Sequence, residues 1–275
     1  LSGLLDKLGN NNAAGEYYLT DTVAVAEKKG VYTADSTDVV LGANSRSQLA
    51  ALNEVARKRK LAELMDEGVD IPLSDGIIIG KDVKIGHDTV ILPNTIIKGK
   101  TVIGNGCEIG PNSYIADCVI EDNVILNNVQ AHESKVDSCA KAGPFVHLRP
   151  NTHLHSGVKI GDFVEVKNSE VGINTCIAHL TYVGDSDVGK GVNFGCGCVT
   201  ANYDGIKKYR TTIGDNAFIG CNTNLIAPVT IGDNATTAAG STITKNVPAD
   251  SLAVERGQTR IIEHWEKNSK RIKKA

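Results

Sequence analysis

From Ile79 to Ile115 an isoleucine stands at every sixth position: Ile79, Ile85, Ile91, Ile97, Ile103, Ile109 and Ile115, with mostly polar or small residues between them. An α-helix would spread sixth neighbours around its cylinder, and an ordinary strand alternates at two and turns back within a few residues. The period is that of a hexapeptide solenoid. Gly80, Gly86, Gly104 and Gly110 directly follow isoleucines, and the fourth residue after each isoleucine is small or β-branched: Val83, Thr89, Thr95, Thr101, Cys107 and Ser113. One large and one small inward residue per hexad predicts a parallel β-helix with a narrow core. Gly or Asn would turn its corners in left-handed backbone.

The ladder resumes with changes of phase. Ile160 leads to Val166, a five-residue step reaches Val171, and Ile177, Val183, Val188 and Phe194 follow; a last run is Ile213, Ile219, Leu225, Ile231, Thr237 and Ile243. The solenoid is thus predicted over about residues 75–247. Ahead of it, residues 45–67 read as one long helix, with Ser45 as cap and Leu49, Leu52, Val55, Ala56, Leu61, Leu64 and Met65 as its apolar stripe. The run Arg57-Lys58-Arg59-Lys60 reads as a solvated helix face, and Asp70-Ile71-Pro72 ends the helix and starts the prism. Residues 1–45 lack the repeat. They predict a helix over Thr20 to Lys29 and a strand at Val39 to Leu41, too little for a domain by itself and reading as the end of an α/β unit.

One insertion breaks the solenoid, Asn202-Tyr203-Asp204-Gly205-Ile206-Lys207-Lys208-Tyr209-Arg210. Loops thrown out of a solenoid leave its core intact and commonly build the site. After Pro248 the chain is predicted to leave the repeat, and Ile261 to Ala275 reads as a basic helical tail containing Trp265.

Composition narrows the field of functions. A net charge of −3 and a pI near 6.2 give no electrostatic footprint for nucleic acid, and aromatics at 4 % suit a thin prism filled by Ile, Val, Ala and Thr. The seven cysteines sit at or beside repeat positions and read as small buried residues of a reducing compartment. Period-two geometry would put the thiols of Cys196 and Cys198 on one strand face, with no second pair to complete a zinc site. No signal peptide is evident, and no apolar run approaches the ~20 residues of a membrane span. A cytoplasmic protein is expected.

The chemistry-bearing residues gather between 143 and 210, at Arg149, Glu165, Lys167, His179, Tyr182, Asn193, Asn202, Tyr203 and Lys208. Most are one or a few coils apart, so stacking can unite them. His179 interrupts an apolar stretch and is the candidate general base, since imidazole titrates near neutrality. Arg149, Lys167 and Lys208 are candidates for a phosphate clamp. On these residues alone, a structural histidine and scattered surface cations remain open.

Four motifs narrow the reading: Gly143-Pro144-Phe145 with Leu148-Arg149-Pro150, Phe163-Val164-Glu165-Val166-Lys167, His179-Leu180-Thr181-Tyr182-Val183-Gly184-Asp185, and Asn202-Tyr203-Asp204-Gly205. Together they resemble the acetyltransferase domain of the bifunctional N-acetylglucosamine-1-phosphate uridyltransferase/glucosamine-1-phosphate acetyltransferase family. Asn10-Asn11-Asn12, Gly15 to Asp21 and Gly42 to Arg46 are similar to the closing segments of that family's uridyltransferase domain. The resemblance implies a left-handed parallel β-helix over residues 73–250, preceded by a nucleotidyltransferase remnant (1–44) and a helical linker (45–72) and followed by an arm (251–275). It implies acetyl transfer from acetyl-CoA to the amine of glucosamine 1-phosphate in a homotrimer with shared sites, with no nucleic acid and no membrane span. Under it His179 is the base; Arg149, Lys167 and Lys208 hold the sugar phosphate; Tyr182, Asn193 and Asn202 place the sugar and the acetyl group. Glu165 would orient His179 or the substrate. Asn202, Tyr203, Cys196, Cys221, Ala239 and Arg256 would line the acetyl-CoA, with Cys221 standing where the family is expected to have serine. Asn44 matches a residue that helps bind Mg²⁺ in uridylyl transfer, an activity expected of the parent protein and not of this chain, which shows no Gly-rich phosphate loop. The alternatives are a hexapeptide acetyltransferase for another amine or hydroxyl, and a non-catalytic assembly module.

Overall fold

The computed structural model describes residues 1–263, and it is mainly β. From Ile78 onward the chain winds through strands of two to four residues, which stack into three parallel sheets of ten, nine and ten strands. As a rule each strand pairs with the third one on, as where Ile97 lies beside Ile115 and Ile103 beside Ile120. That order is the signature of a three-sided β-helix.

The isoleucine ladder faces inward along its whole length, and the small residues between it are buried with it. Each fully buried isoleucine contributes roughly 1.5–3 kcal/mol, and the continuous column holds coil to coil. Threonine at the small position has a reason beyond size. The Thr89 hydroxyl donates to the Gly104 carbonyl at 2.8 Å and accepts from the Cys107 N–H at 3.1 Å, so it pairs backbone groups of the next coil that burial would otherwise leave unsatisfied. The ladder also continues between Ile115 and Ile160, carried by Ile120, Leu126, Ala131, Val136, Ala142, Leu148 and Leu154. Alanines and five-residue steps hide it from a search at period six.

Corners use left-handed backbone. Asn94 and Asn112 have φ of 58° and 54°, and the amide of the first donates to the second at 3.2 Å. Gly104 serves differently, because a Cβ there would lie 2.3 Å from Asp122 Oδ1. That same oxygen accepts the Asn105 N–H at 2.7 Å.

The stack begins where Asp70-Ile71-Pro72 is expected to start it, Asp70 bridging Val90, and runs past its predicted far end: Leu252–Ala253 pairs with Thr236–Thr237 beyond Pro248. This last strand carries no large inward residue, Leu252 being exposed, so it leaves no periodic trace.

The chain divides into two units, Leu1–Val55 and the part from Ala56 onward. The long helix is Arg46–Asp66. The Ser45 hydroxyl accepts from the Gln48 N–H at 3.2 Å while the Gln48 side chain accepts from the Asn44 N–H at 2.7 Å, an arrangement close to a capping box. Of its predicted stripe only Leu61 and Leu64 are buried, and Leu49 and Met65 are exposed. Arg57, from the basic run, donates to the carbonyls of Ser74 and Ile77 at 3.0 and 3.3 Å, fastening its segment to the first coil.

The first unit departs from expectation. In place of a helix over Thr20 to Lys29 there is a 3-10 turn, Leu19–Asp21, followed by one helical turn, Thr22–Val25. The strand expected at Val39 to Leu41 is a 3-10 turn, Thr37–Val40, opened by the Ser36 hydroxyl accepting from the Asp38 N–H. A β-branched run becomes a strand only against a partner, and none pairs with it among the described residues. The helical tail with Trp265 lies outside the described residues.

The cysteines also differ from expectation. All seven are free, but only Cys107, Cys118 and Cys198 are buried, while Cys139 and Cys221 are exposed. Burial pushes the Cys118 thiol up to about 11. Cys196 and Cys198 do not share a face: Gly197 between them turns a corner at φ 77°, and Cys198 alone points into the core, its thiol donating to the Gly195 and Gly220 carbonyls. A left-handed residue breaks the alternation on which the period-two argument rests.

Candidate active site

Stacking brings three distant stretches of sequence into one outward-facing patch. Val166 lies beside Leu148 and Val183, with Glu165 beside His147 and Tyr182, and Lys167 beside Gly184. Arg149, whose N–H donates to the Val166 carbonyl, heads the same row as Lys167. Gly184 is needed here because a Cβ would lie 2.3 Å from the Tyr182 hydroxyl. Its absence lets the phenol lie along the row.

Charge is organised around this row. Arg149 Nη1 donates to Glu165 Oε1 at 2.7 Å. The Glu165 carboxylate therefore orients Arg149, and of the two expectations for it, His179 or the substrate, it makes no hydrogen bond to His179 among the described residues. Lys167 meets Lys208, whose ammonium pushes the Lys167 pKa down; partial burial and the Arg149 charge act the same way, against Asp185. Cations gathered like this repel one another and are neutralised by an anion set between them.

Lys208 is delivered by the insertion, which folds as a small hairpin. Tyr203 bridges Lys208 in antiparallel fashion, and the Tyr209 N–H donates to the Asn202 carbonyl at 2.9 Å. At its tip the Asp204 carboxylate accepts the N–H groups of Ile206 and Lys207, both at 2.7 Å, and these hold its pKa below the usual carboxylate value. At its base Arg210 donates to the Asp187 carboxylate and to the carbonyls of Asn168 and Ser186. Beside it the buried Asp185 accepts from both Asn168 and Asn202, and the Asn202 amide reaches the Tyr182 hydroxyl at 3.4 Å. Asp185, Arg210 and His147 were not singled out from the sequence as site residues. The signal available was the charge of Asp185, about one coil before the insertion, and of Arg210, the last residue of the insertion.

A second line runs along the neighbouring corner. His179, Cys196, Cys221 and Ala239 follow one another on successive coils. The Gly197 N–H donates to the His179 carbonyl, that of Asn222 to Cys196, and that of Gly240 to Cys221. Arg256 closes the line, its guanidinium donating to the Ala239 carbonyl at 3.0 Å. The His179 side chain is exposed and makes no side-chain hydrogen bond among the described residues. Asn193 lies on the strand leading to Cys196, between Cys176 and Phe218, and its side chain makes no hydrogen bond to the cation row or the hairpin among the described residues. Tyr203 is exposed on the hairpin, its hydroxyl donating to the Gly205 carbonyl.

This corner has one further peculiarity. Its left-handed positions are Asn128 and Asn222 on outer coils, but Phe145, Phe163 and Leu180 on the coils beside the cation row, at φ 57°, 58° and 46°. All three are exposed, and the two phenyl rings stack with centroids 5.0 Å apart. Large side chains in this region cost about 1–2 kcal/mol each, and such strain collects at functional sites. Asn44, far from here in sequence, is an exposed residue whose N–H is taken by Gln48.

Among known proteins, residues 210–245 match the model of the bacterial transferase hexapeptide (six repeats). The bifunctional protein GlmU of Acetivibrio thermocellus is 50 % identical over 96 % of this chain and 58 % of its own length. That of Clostridium acetobutylicum is 48 % identical over 95 % of this chain, again 58 % of its own length. The UDP-N-acetylglucosamine acyltransferase of Francisella novicida, a solved structure, is 17 % identical over 65 % of each chain with a TM-score of 0.40. No described helix is long and apolar enough to cross a membrane. Spanning a little under three fifths of their length, the chain is a homologue of the bifunctional GlmU proteins.

Proposed function

We propose that this chain transfers the acetyl group of acetyl-CoA to the amine of glucosamine 1-phosphate, giving N-acetylglucosamine 1-phosphate for UDP-N-acetylglucosamine and cell-wall precursor synthesis. One observation carries the substrate: Arg149, Lys167 and Lys208 converge with no carboxylate paired to either lysine among the described residues. A phosphate there would neutralise the cluster, with Arg149 preset by Glu165 for a bidentate grip. Tyr182 and Asn202, linked at 3.4 Å, lie where the sugar and acetyl group would be placed, with Asn193 toward the corner.

The acetyl-CoA would lie along the line of Cys196, Cys221 and Ala239, past Tyr203, with Arg256 near its phosphates. His179 takes a proton from the substrate amine as nitrogen attacks the thioester carbon. The C–N bond forms and an oxyanion develops, for which a backbone N–H is the donor we assign; the Cys196 N–H, which no acceptor of the chain engages among the described residues, is our candidate. Collapse breaks the C–S bond, and the departing CoA sulfur recovers the proton from the imidazolium. Cys221 is somewhat larger than the serine expected there, and Gly195 makes room for its sulfur.

The exposed row Phe145, Phe163 and Leu180 supports a homotrimer in which a neighbouring copy covers this corner and completes the site. Residues 1–44 we read as the close of a nucleotidyltransferase domain, 45–72 as a linker, 73–250 as the acetyltransferase and 251–275 as an arm. Uridylyl transfer and its Mg²⁺ belong to the longer protein; Asn44 alone does not fit an ion that takes several oxygen ligands, and no step is assigned to it. Free thiols throughout and the use of acetyl-CoA support a cytoplasmic setting.

The test is CoA thiol release from acetyl-CoA with glucosamine 1-phosphate, run beside glucosamine and serine, on the wild type and His179→Ala. Turnover confined to the phosphorylated amino sugar, and reduced about 10²–10⁴-fold in the variant, supports the reading. Equal turnover with glucosamine or serine would overturn the phosphate clamp.

A further inference from the structure

The sheet that carries neither His179 nor the cation row holds a second cluster of titratable side chains. Lys135 lies beside His153 and Val136 beside Leu154, with His153 beside Glu170 on the next coil. Strand alternation buries Leu154 and turns His153 and His155 outward together, and the same register sets Asp137 under His155. His153 Nε2 lies 2.9 Å from Asp137 Oδ1 and His155 Nδ1 lies 3.3 Å from Asp137 Oδ2. The opposite nitrogens, His153 Nδ1 and His155 Nε2, lie 2.9 and 3.0 Å from the same oxygen, Glu170 Oε2. The rings themselves are 3.9 Å apart between centroids.

Hydrogen bonding alone does not satisfy this arrangement. A carboxylate only accepts and a neutral imidazole has one N–H, so each ring can serve one of its two carboxylates. Pairing all four nitrogens would take two imidazolium ions with ring centroids 3.9 Å apart, which repel. A cation on the Asp137 side removes the conflict: it takes the lone pairs of His153 Nε2 and His155 Nδ1, and the remaining N–H of each ring donates to Glu170.

We propose that Asp137, His153 and His155 form a binding site for a divalent transition-metal ion of the zinc, cobalt or nickel class, with Glu170 as the outer carboxylate that fixes both rings. One donor atom from each of the three lies within 4.8 Å of the others. The nitrogen-to-oxygen separations of 2.9 and 3.3 Å approach the ~3.3 Å edge of a tetrahedron with metal–ligand bonds of 2.0–2.1 Å. Two imidazoles and a carboxylate suit these ions rather than calcium or magnesium, and a carboxylate behind each ligating histidine is the usual outer shell. Lys135 is the built-in competitor, its ammonium 2.8 Å from Asp137 and 3.6 Å from Glu121, to which it can swing. The ion would tie two successive coils together, with Glu170 bracing both rings from the third.

Equilibrium dialysis of tag-free protein against Zn²⁺, with Co²⁺ absorption to report the ligands, tests the site. One equivalent bound, with a visible d–d band lacking thiolate charge transfer, is expected. His153→Ala and His155→Ala should abolish it, Glu170→Gln should weaken it about 10–100-fold, and Lys135→Ala should strengthen it. His179→Ala, on another corner, should leave it intact. Circular dichroism of each variant separates loss of the site from loss of the fold, and Glu170→Gln serves if the histidine variants do not fold. No stoichiometric binding by the wild type would overturn the proposal, as would binding that survives both histidine changes or disappears on thiol alkylation.

Discussion

At the scale of single residues, the site is defined by groups whose comfort depends on something absent from the chain. Lys167 is the clearest. The neighbouring Lys208 ammonium lowers its pKa, so its charged form is disfavoured in the folded protein. That cost is present below the folded pKa and fades as pH rises toward the ordinary lysine value. Lys167→Met should therefore leave the unliganded protein as stable at neutral pH as the wild type, or slightly more so, while raising KM for glucosamine 1-phosphate about 10–100-fold, the value of one charge-assisted hydrogen bond. Thermal unfolding beside steady-state kinetics would check both halves; a lower Tm would mean that Lys167 is structural. Leu180 poses the opposite case, a large residue in left-handed backbone. Leu180→Asn should relieve about 1 kcal/mol of strain yet lower activity and shift the sedimentation profile toward monomer. Unchanged activity and assembly would show that the ridge is covered by nothing.

At the scale of elements, the hairpin at 202–210 is the part that chemistry holds in place. Its tip depends on the Asp204 carboxylate accepting two N–H groups, and its base on Arg210 and Asp185. The Asp204 pKa is depressed in the folded state, so its contribution is present above the ordinary value of 3.8 and is lost as pH falls through the folded value. Hydrogen exchange at Ile206 and Lys207 should accelerate relative to the core coils across that acid window. Asp204→Asn, which keeps an accepting oxygen, should not show this added pH dependence.

At the scale of the whole molecule, a solenoid gains its stability from neighbouring coils. Ile109 is fully buried near the N-terminal end of the stack, beside Ile91 and Leu126. Ile109→Ala should cost about 2–5 kcal/mol, and exchange protection should fall most in the adjoining coils and least toward Ile243. A uniform loss along the prism would show that it unfolds as one cooperative unit.

The sequence alone determined the prism, because a core one side chain wide admits only a strict alternation of large and small residues. Its four motifs also pointed to Arg149, Lys167 and His179, whereas Cys196, Cys221, Ala239 and Arg256 came only from the family resemblance; the structure sets these four beside His179 along one corner. Tertiary structure decided the rest. That Glu165 holds Arg149 and not His179, that Asp185 and Arg210 seat the hairpin, and that Cys196 and Cys198 face opposite ways all depend on coil register and on corners that break alternation. The cluster of Asp137, His153, His155 and Glu170 was invisible for the same reason. Its members sit on three coils, and linear sequence does not say which residues a stack of five- and six-residue steps will bring face to face.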